Sequence, residues 1–325
     1  MIEPWNTSVL TEMHRLALHW VHENIASFGG DPSKVTIYGE SAGSGSVANQ
    51  LLAYNGRDDN LYRGAIGTSG PLIGFGAMNP RPGVAESNYK NVLRDLGCEG
   101  NRDHIGCLRS APTDELNRAF NISMMDDQGV LVYGPLADGD FLYQDPLIQL
   151  QEGAVVDVPY IIGDTSDEGT VFSSWGLNSE EDVAEWLAAY QFQIGIVEEL
   201  LTLYPVDSAM LIPESYARNL NATVGLQLKR VATLLEYLSF VGPRRYTLRK
   251  LARMNRSPIY NCRFNAIPMG VDPIYSATHF MDVPYAFYSV DGVGYPDSHG
   301  PFLGPNPFLG KPQTYYELAK LACRM

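Results

Sequence analysis

Apolar positions along this chain fall into two kinds of run: helical spacing, and short unalternated stretches bounded by turn residues. Residues 12–27 fit a helix with Leu16, Ala17, Trp20, Val21 and Ile25 near one face, ended by Phe28-Gly29-Gly30-Asp31-Pro32. Lys34-Val35-Thr36-Ile37-Tyr38 then favours extended backbone. Helical spacing returns over Ser44 to Tyr54 through Val47, Leu51 and Leu52. Further strand-like runs are Ala65-Ile66-Gly67-Thr68, Val158 to Ile162 and Ile259 to Phe264. Short apolar strands separated by helices predict an α/β fold with a mostly parallel sheet covered on both faces. Residues 180–255 read as mainly helical, over Asp182 to Tyr190, Ile196 to Leu203 and an interrupted pattern from Val224 to Met254. They are expected to form an inserted helical cap over the carboxyl ends of the strands, where such sheets bind ligands.

No repeat, low-complexity tract or flexible linker divides the 325 residues, so residues 1–325 are expected to form a single domain. With 45% hydrophobic and 18% charged residues the chain can bury a substantial core. No apolar run approaches the length of a membrane span. A net charge of −14 disfavours nucleic acid or an anionic membrane as the main partner and suits a neutral or weakly polar small molecule.

Of four cysteines, Cys98 and Cys107 bound a short polar loop suited to a local disulfide, two free thiols being the alternative. Cys262 and Cys323 read as buried thiols. The sequons at Asn6, Asn121 and Asn221 lean towards the secretory route and make Asn121 and Asn221 glycosylation candidates. Met1-Ile2-Glu3-Pro4-Trp5-Asn6 has no charged leader and apolar run, so it does not read as a signal peptide. A secreted parent would need a segment that this chain lacks.

Candidate chemistry centres on Gly39-Glu40-Ser41-Ala42-Gly43. A strand, a G-x-S-x-G turn and a helix form a nucleophile elbow, in which the glycines allow close approach and the turn lifts a strained serine above the sheet. The helix that follows aims its first N–H groups at any anion formed there. A serine needs a base, and the base an acid to fix its tautomer; on an elbow fold they follow in the order serine, acid, histidine. That order excludes His14, His19 and His22, and His104 precedes any plausible acid. His299 sits in a turn, whereas His279 follows the Ile259 to Phe264 strand, which makes His279 the base. Asp164, Asp167 and Glu168 all cluster after the Val158 to Ile162 run, and position alone does not choose among them.

These residues resemble the type-B carboxylesterases, the family of cholinesterases and fungal lipases, and its fungal members above all. Phe28-Gly29-Gly30-Asp31-Pro32-Ser33-Lys34-Val35-Thr36-Ile37-Tyr38-Gly39-Glu40-Ser41-Ala42-Gly43 is similar to the serine signature of that family almost without a break. Cys98 and Cys107-Leu108-Arg109-Ser110 resemble its disulfide loop, and Tyr133-Gly134-Pro135-Leu136-Ala137-Asp138-Gly139 another segment of its pattern. Asp167-Glu168-Gly169-Thr170 resembles the run that carries the acid, which selects Glu168. Thr278-His279-Phe280-Met281-Asp282-Val283-Pro284 resembles the histidine segment. Ser69 matches a serine that supports the triad, and Glu40, beside the nucleophile, is placed with it. The resemblance implies the α/β-hydrolase fold and a Ser41–His279–Glu168 triad hydrolysing a small-molecule or lipid ester through an acyl-enzyme. It implies no cofactor or metal.

The chain departs from the family pattern before the serine. No glycine-rich loop of the His-Gly-Gly-Gly type occurs, so only the Ala42 N–H remains of the oxyanion donors that pattern supplies. The expectation is an α/β-hydrolase domain incomplete at the N-terminus, part of a longer secreted esterase, truncated at both ends. The competing expectation is a catalytically inactive homologue that binds a partner; amide hydrolysis by the same triad is a third. Phe172, Trp175 and Phe280 are candidate pocket residues, with packed core aromatics as the alternative.

Overall fold

The computed structural model describes residues 9–70, 72–73, 82–122, 134–190, 192–207, 211–212, 220–295 and 306–324. The chain folds into two compact units. One comprises Met1–Val35, Ala48–Arg63 and Gly76–Asp157; the other comprises Thr36–Val47, Gly64–Phe75 and Val158–Met325.

The second unit holds a four-stranded sheet: β1 (Thr36–Glu40), β2 (Gly64–Thr68), β3 (Tyr160–Thr165) and β4 (Ile259–Phe264), in the order β1-β2-β3-β4. Every pairing is parallel, with Tyr38 opposite Ile66, Ile66 opposite Ile161 and Ile161 opposite Tyr260. The strand-like runs of the sequence land on these strands. Strand β3 is buried along nearly its whole length, as a central parallel strand should be, and Tyr160 and Ile162 are almost inaccessible. Strand β4, at an edge, keeps Tyr260 exposed. Parallel order puts all the carboxyl ends on one side, where the turns following β1, β2 and β3 gather.

Among the described residues of 180–255 four α-helices form: Glu180–Ala189, Ile194–Leu203, Leu228–Leu235 and Gly242–Met254. The last two are joined by a π-helical stretch, Glu236–Val241, in which the backbone opens to one extra residue per turn. Ser179 starts the first of these helices with a capping box closed by Asp182. Val183, Leu187, Val197, Val231, Leu234 and Leu235 pack the group together. A second cluster, Ala266, Tyr285, Phe308 and Ala319, ties the segment after β4 to the helix Gln313–Ala322.

In the first unit the helix Val9–Asn24 differs from expectation in what it buries. Leu16 and Trp20 are 69% and 52% exposed, whereas Arg15 is buried against Asp59 and Gln50. A polar network of Arg15, Gln50 and Asp59 therefore outweighs the apolar stripe in fixing this helix within its unit. Gln149, fully buried, donates to the Leu52 carbonyl at 2.9 Å, and Val156 N–H donates to the Leu51 carbonyl at 2.9 Å.

Cys98 and Cys107 are joined by a disulfide. Of the other two cysteines Cys262 is half-buried, but Cys323 is exposed because it caps the final helix rather than lying on its packed face. Among the described residues no helix is long and apolar enough to cross a membrane. With nine positions separating its ends, the disulfide removes about 2–3 kcal/mol of unfolded-chain entropy. The double variant C98A/C107A is expected to lose about that much stability in urea unfolding, with a slope against denaturant equal to or above that of the parent.

Candidate active site

Ser41 stands between the end of β1 and the helix Ala42–Gly56, with φ at +57°. A side chain in this left-handed region costs roughly 1–2 kcal/mol, and three hydrogen bonds hold the backbone there. Ser41 N–H donates to the Thr68 carbonyl at 2.9 Å, Gly45 N–H donates to the Ser41 carbonyl at 3.0 Å, and Ser44 Oγ donates to the Gly70 carbonyl. Ala42 is the first residue of the helix, where N–H groups have no acceptor within the helix. The helix is broken near its far end, where Ala53, Tyr54 and Asn55 leave helical angles.

The two flanking glycines have different reasons. A Cβ on Gly39 would overlap the carbonyl of Gly43 and the nitrogen of Ser44, so the strand and the helix meet backbone to backbone there. A Cβ on Gly43 would meet nothing within 4 Å. Only Gly39 is needed for close approach.

Three carboxylates lie at the end of β3 or just past it, and the structure gives each a different partner. Asp164 pairs with Arg244, whose guanidinium also reaches Asn261 on β4. Asp167 Oδ2 accepts the Ala277 N–H at 3.1 Å and its own N–H donates to the Ala277 carbonyl at 3.0 Å, which clamps the loop leading to His279. Glu168, fully buried, meets the imidazole itself: its Oε2 lies 2.6 Å from His279 Nδ1. Its Oε1 accepts the Ser69 hydroxyl at 2.6 Å and the Thr165 N–H at 2.7 Å. With Nδ1 donating to that carboxylate, His279 Nε2 is left as an acceptor, 2.7 Å from Ser41 Oγ. Ser69 also has positive φ, at +57°, and its N–H donates to the Gly163 carbonyl at 2.8 Å.

Charge around the imidazole is graded. Burial pulls the His279 pKa down, but the hydrogen bond and charge of Glu168, helped by Glu40 and Asp282, outweigh it and leave it above the ordinary value. Glu40 Oε1 lies 3.4 Å from His279 Nε2. Burial pushes the Glu40 carboxyl up to about 7 against the attraction of His279, and Asp282 and Glu168 add to the rise. Asp282 is also raised, chiefly by burial. Glu40 thus titrates near neutrality at the edge of the site.

Aromatic rings flank His279. Phe172 meets it edge-on at 4.9 Å between centroids and Phe240 lies at 5.5 Å, the two phenyl rings stacking at 5.9 Å. Phe172, Trp175 and Phe280 are 48%, 50% and 43% exposed, so none is the packed core aromatic weighed from sequence. Phe240 and Glu236 were not foreseen; a glutamate inside Leu234-Leu235-Glu236-Tyr237-Leu238 is the signal that was available. His14, His19 and His22 are exposed on the helix Val9–Asn24, His104 packs near Tyr89, and Tyr133 and His299 lie outside the described residues. Among the described residues no group of three or more His, Cys, Asp or Glu side chains is placed to hold a metal ion.

Residues 14–294 match the model of the carboxylesterase family. The chain is 38% identical over 252 residues to "Lipase 4" of Diutina rugosa, covering 72% of this chain and 44% of that protein. It is 32% identical over 314 residues to "Secreted triacylglycerol lipase LIP1" of Gibberella zeae, covering 93% of this chain and 50% of that one. The chain thus spans about half the length of the curated relatives it matches. The crystal structure of Aspergillus niger EstA superposes with a TM-score of 0.73 at 23% identity, over 95% of this chain and 58% of that one. The fold is the α/β-hydrolase fold.

The elbow geometry sets apart two substitutions that sequence treats alike. Gly39→Ala is expected to cost about 3 kcal/mol or more, because backbone on both sides cannot yield. Gly43→Ala is expected to be neutral or to stabilise by up to about 1 kcal/mol, as glycine to alanine does in an open helical position. Urea unfolding of the two variants checks the contrast.

Proposed function

This chain belongs to the carboxylesterase family, and we propose that it is a serine carboxylic-ester hydrolase working through a Ser41–His279–Glu168 triad. The observation that carries this reading is one imidazole in contact with both partners, Ser41 Oγ at 2.7 Å and the Glu168 carboxylate at 2.6 Å. His279 takes the serine proton as Ser41 attacks the ester carbonyl. Glu168 fixes the imidazole tautomer and stabilises the cation that forms. The Ala42 N–H, at the head of its helix, donates to the oxyanion. The alcohol departs with the proton carried by His279, and water then cleaves the acyl-enzyme by the same route.

The substrate in this reading is a small-molecule or lipid ester with an apolar portion. Phe172 and Phe240 put hydrocarbon surface against the imidazole, and exposed Trp175 and Phe280 follow their neighbours in sequence. The helices of residues 180–255 act as the cap of this site, to which they supply Phe240. Ser69 and Glu40 support the triad, the first through Glu168 and the second through its charge. An extracellular location fits the disulfide, the exposed sequon asparagines Asn121 and Asn221, and the similarity to a secreted triacylglycerol lipase.

A fluorophosphonate probe is expected to label the folded chain at Ser41, located by peptide mass mapping. Labelling of S41A at the parent rate would overturn the nucleophile, and E168Q is expected to label about 10³–10⁴-fold more slowly, through the wrong tautomer. The rate should rise with pH as His279 loses its proton, with a midpoint above the ordinary histidine value. Because the Glu40 charge favours the imidazolium, E40Q is expected to move that midpoint to lower pH; an upward move would contradict the assigned sign.

A further inference from the structure

Glu236 is a buried carboxyl that the triad does not use, and it contacts the turn that carries Glu168. It opens the π-helical stretch Glu236–Val241, and its Oε2 accepts the N–H of Gly169, the residue after Glu168, at 3.2 Å. The contact is tight, since a Cβ on Gly169 would overlap the Ala232 carbonyl and crowd the Glu236 nitrogen. The acid-bearing turn Glu168–Thr170 therefore lies directly on the helical backbone, with no side chain between them. Four residues on, Phe240 lies against His279. One irregular turn thus reaches both the acid and the base.

We propose that Glu236 is a positioning residue, whose carboxyl holds the Gly169 amide and so keeps Glu168 aligned with the His279 imidazole. The inference rests on the triad reading and deepens it. The extra residue in the π turn shifts the helix register, which lets Glu236 and Phe240 meet neighbouring parts of the site. The state of the carboxyl matters as well as its place. It shares its surroundings with Glu168, Asp167 and Asp164, and burial, with Glu168 adding repulsion, pushes it up to about 9. At neutral pH it is an uncharged acceptor, so Glu168 remains the negative charge in contact with the imidazole.

The test compares E236Q, which keeps a neutral acceptor, with E236A, which removes it, in the folded full chain. Two readouts are taken: the rate of fluorophosphonate labelling at Ser41, and the far-downfield NMR resonance of the proton between His279 Nδ1 and Glu168. E236Q is expected to keep the parent resonance and to label within about threefold of the parent. E236A is expected to shift or lose the resonance and to label about ten- to a hundredfold more slowly, the range a small misalignment costs. Folded E236A with the parent resonance and rate overturns the inference, and so does E236Q behaving like E236A. A parent that shows the resonance without labelling overturns the nucleophile reading alone, and the resonance then decides the role of Glu236. A third readout tests the charge state. Since the folded chain holds this proton where the unfolded chain releases it, the urea stability of E236Q should gain on the parent as pH rises from about 5 towards 9. A gap that stays constant over that range overturns the neutral-acceptor account.

Discussion

Glu168 has no access to water, and a buried carboxylate is tolerated only where other donors replace its hydration. Three do so: the Ser69 hydroxyl, the Thr165 N–H and the His279 imidazole. Two come from the ends of neighbouring parallel strands, so the register of β2 against β3 is what brings them to one oxygen. The third comes from a loop more than a hundred residues on, clamped by Asp167 through both polar groups of Ala277. Removing any one donor would leave this buried group short of a partner, at a cost of about 1–3 kcal/mol. The imidazole is aligned because Oε2 faces it while Ser69 and Thr165 hold Oε1 in place.

The sheet makes this arrangement straightforward to build. Turns after β1, β2 and β3 deliver Ser41, Ser69 and Glu168 in strand order, at the carboxyl ends where parallel sheets collect ligands. Ser41 and Ser69 are both at positive φ and are held there by strand-to-strand hydrogen bonds. The Asp164–Arg244 pair anchors the same strand end to the helix Gly242–Met254, and Arg244 also reaches Asn261 on β4. Most of the polar material around the site thus fixes backbone, leaving the imidazole as the group free to exchange protons.

Much of this was legible in the residues. The four strand-like runs were visible as short apolar stretches, and the elbow as a glycine-bounded serine between strand and helix. Chain order, with the strand-like run before it, singles out His279 as the candidate base. The choice among Asp164, Asp167 and Glu168 was not legible from position, because all three lie within five residues, Asp164 at the end of β3 and the other two in the turn after it. It needed either the resemblance or the coordinates. Leu16 and Trp20 show the opposite limit: periodicity marks a face as apolar but does not say what covers it, and within its unit Arg15 is the buried residue. The separate reasons for Gly39 and Gly43 depend on interatomic distances that no sequence pattern carries. The π turn was equally hidden, since an extra residue in a helix leaves its composition unchanged.

The coupling between Glu168 and His279 is the claim on which the rest stands, and an NMR titration of the His279 ring measures it most directly. The account predicts a midpoint above the ordinary histidine value in the parent and a clearly lower one in E168Q, where burial is opposed only by the charges of Glu40 and Asp282. The same midpoint in both proteins would contradict the account.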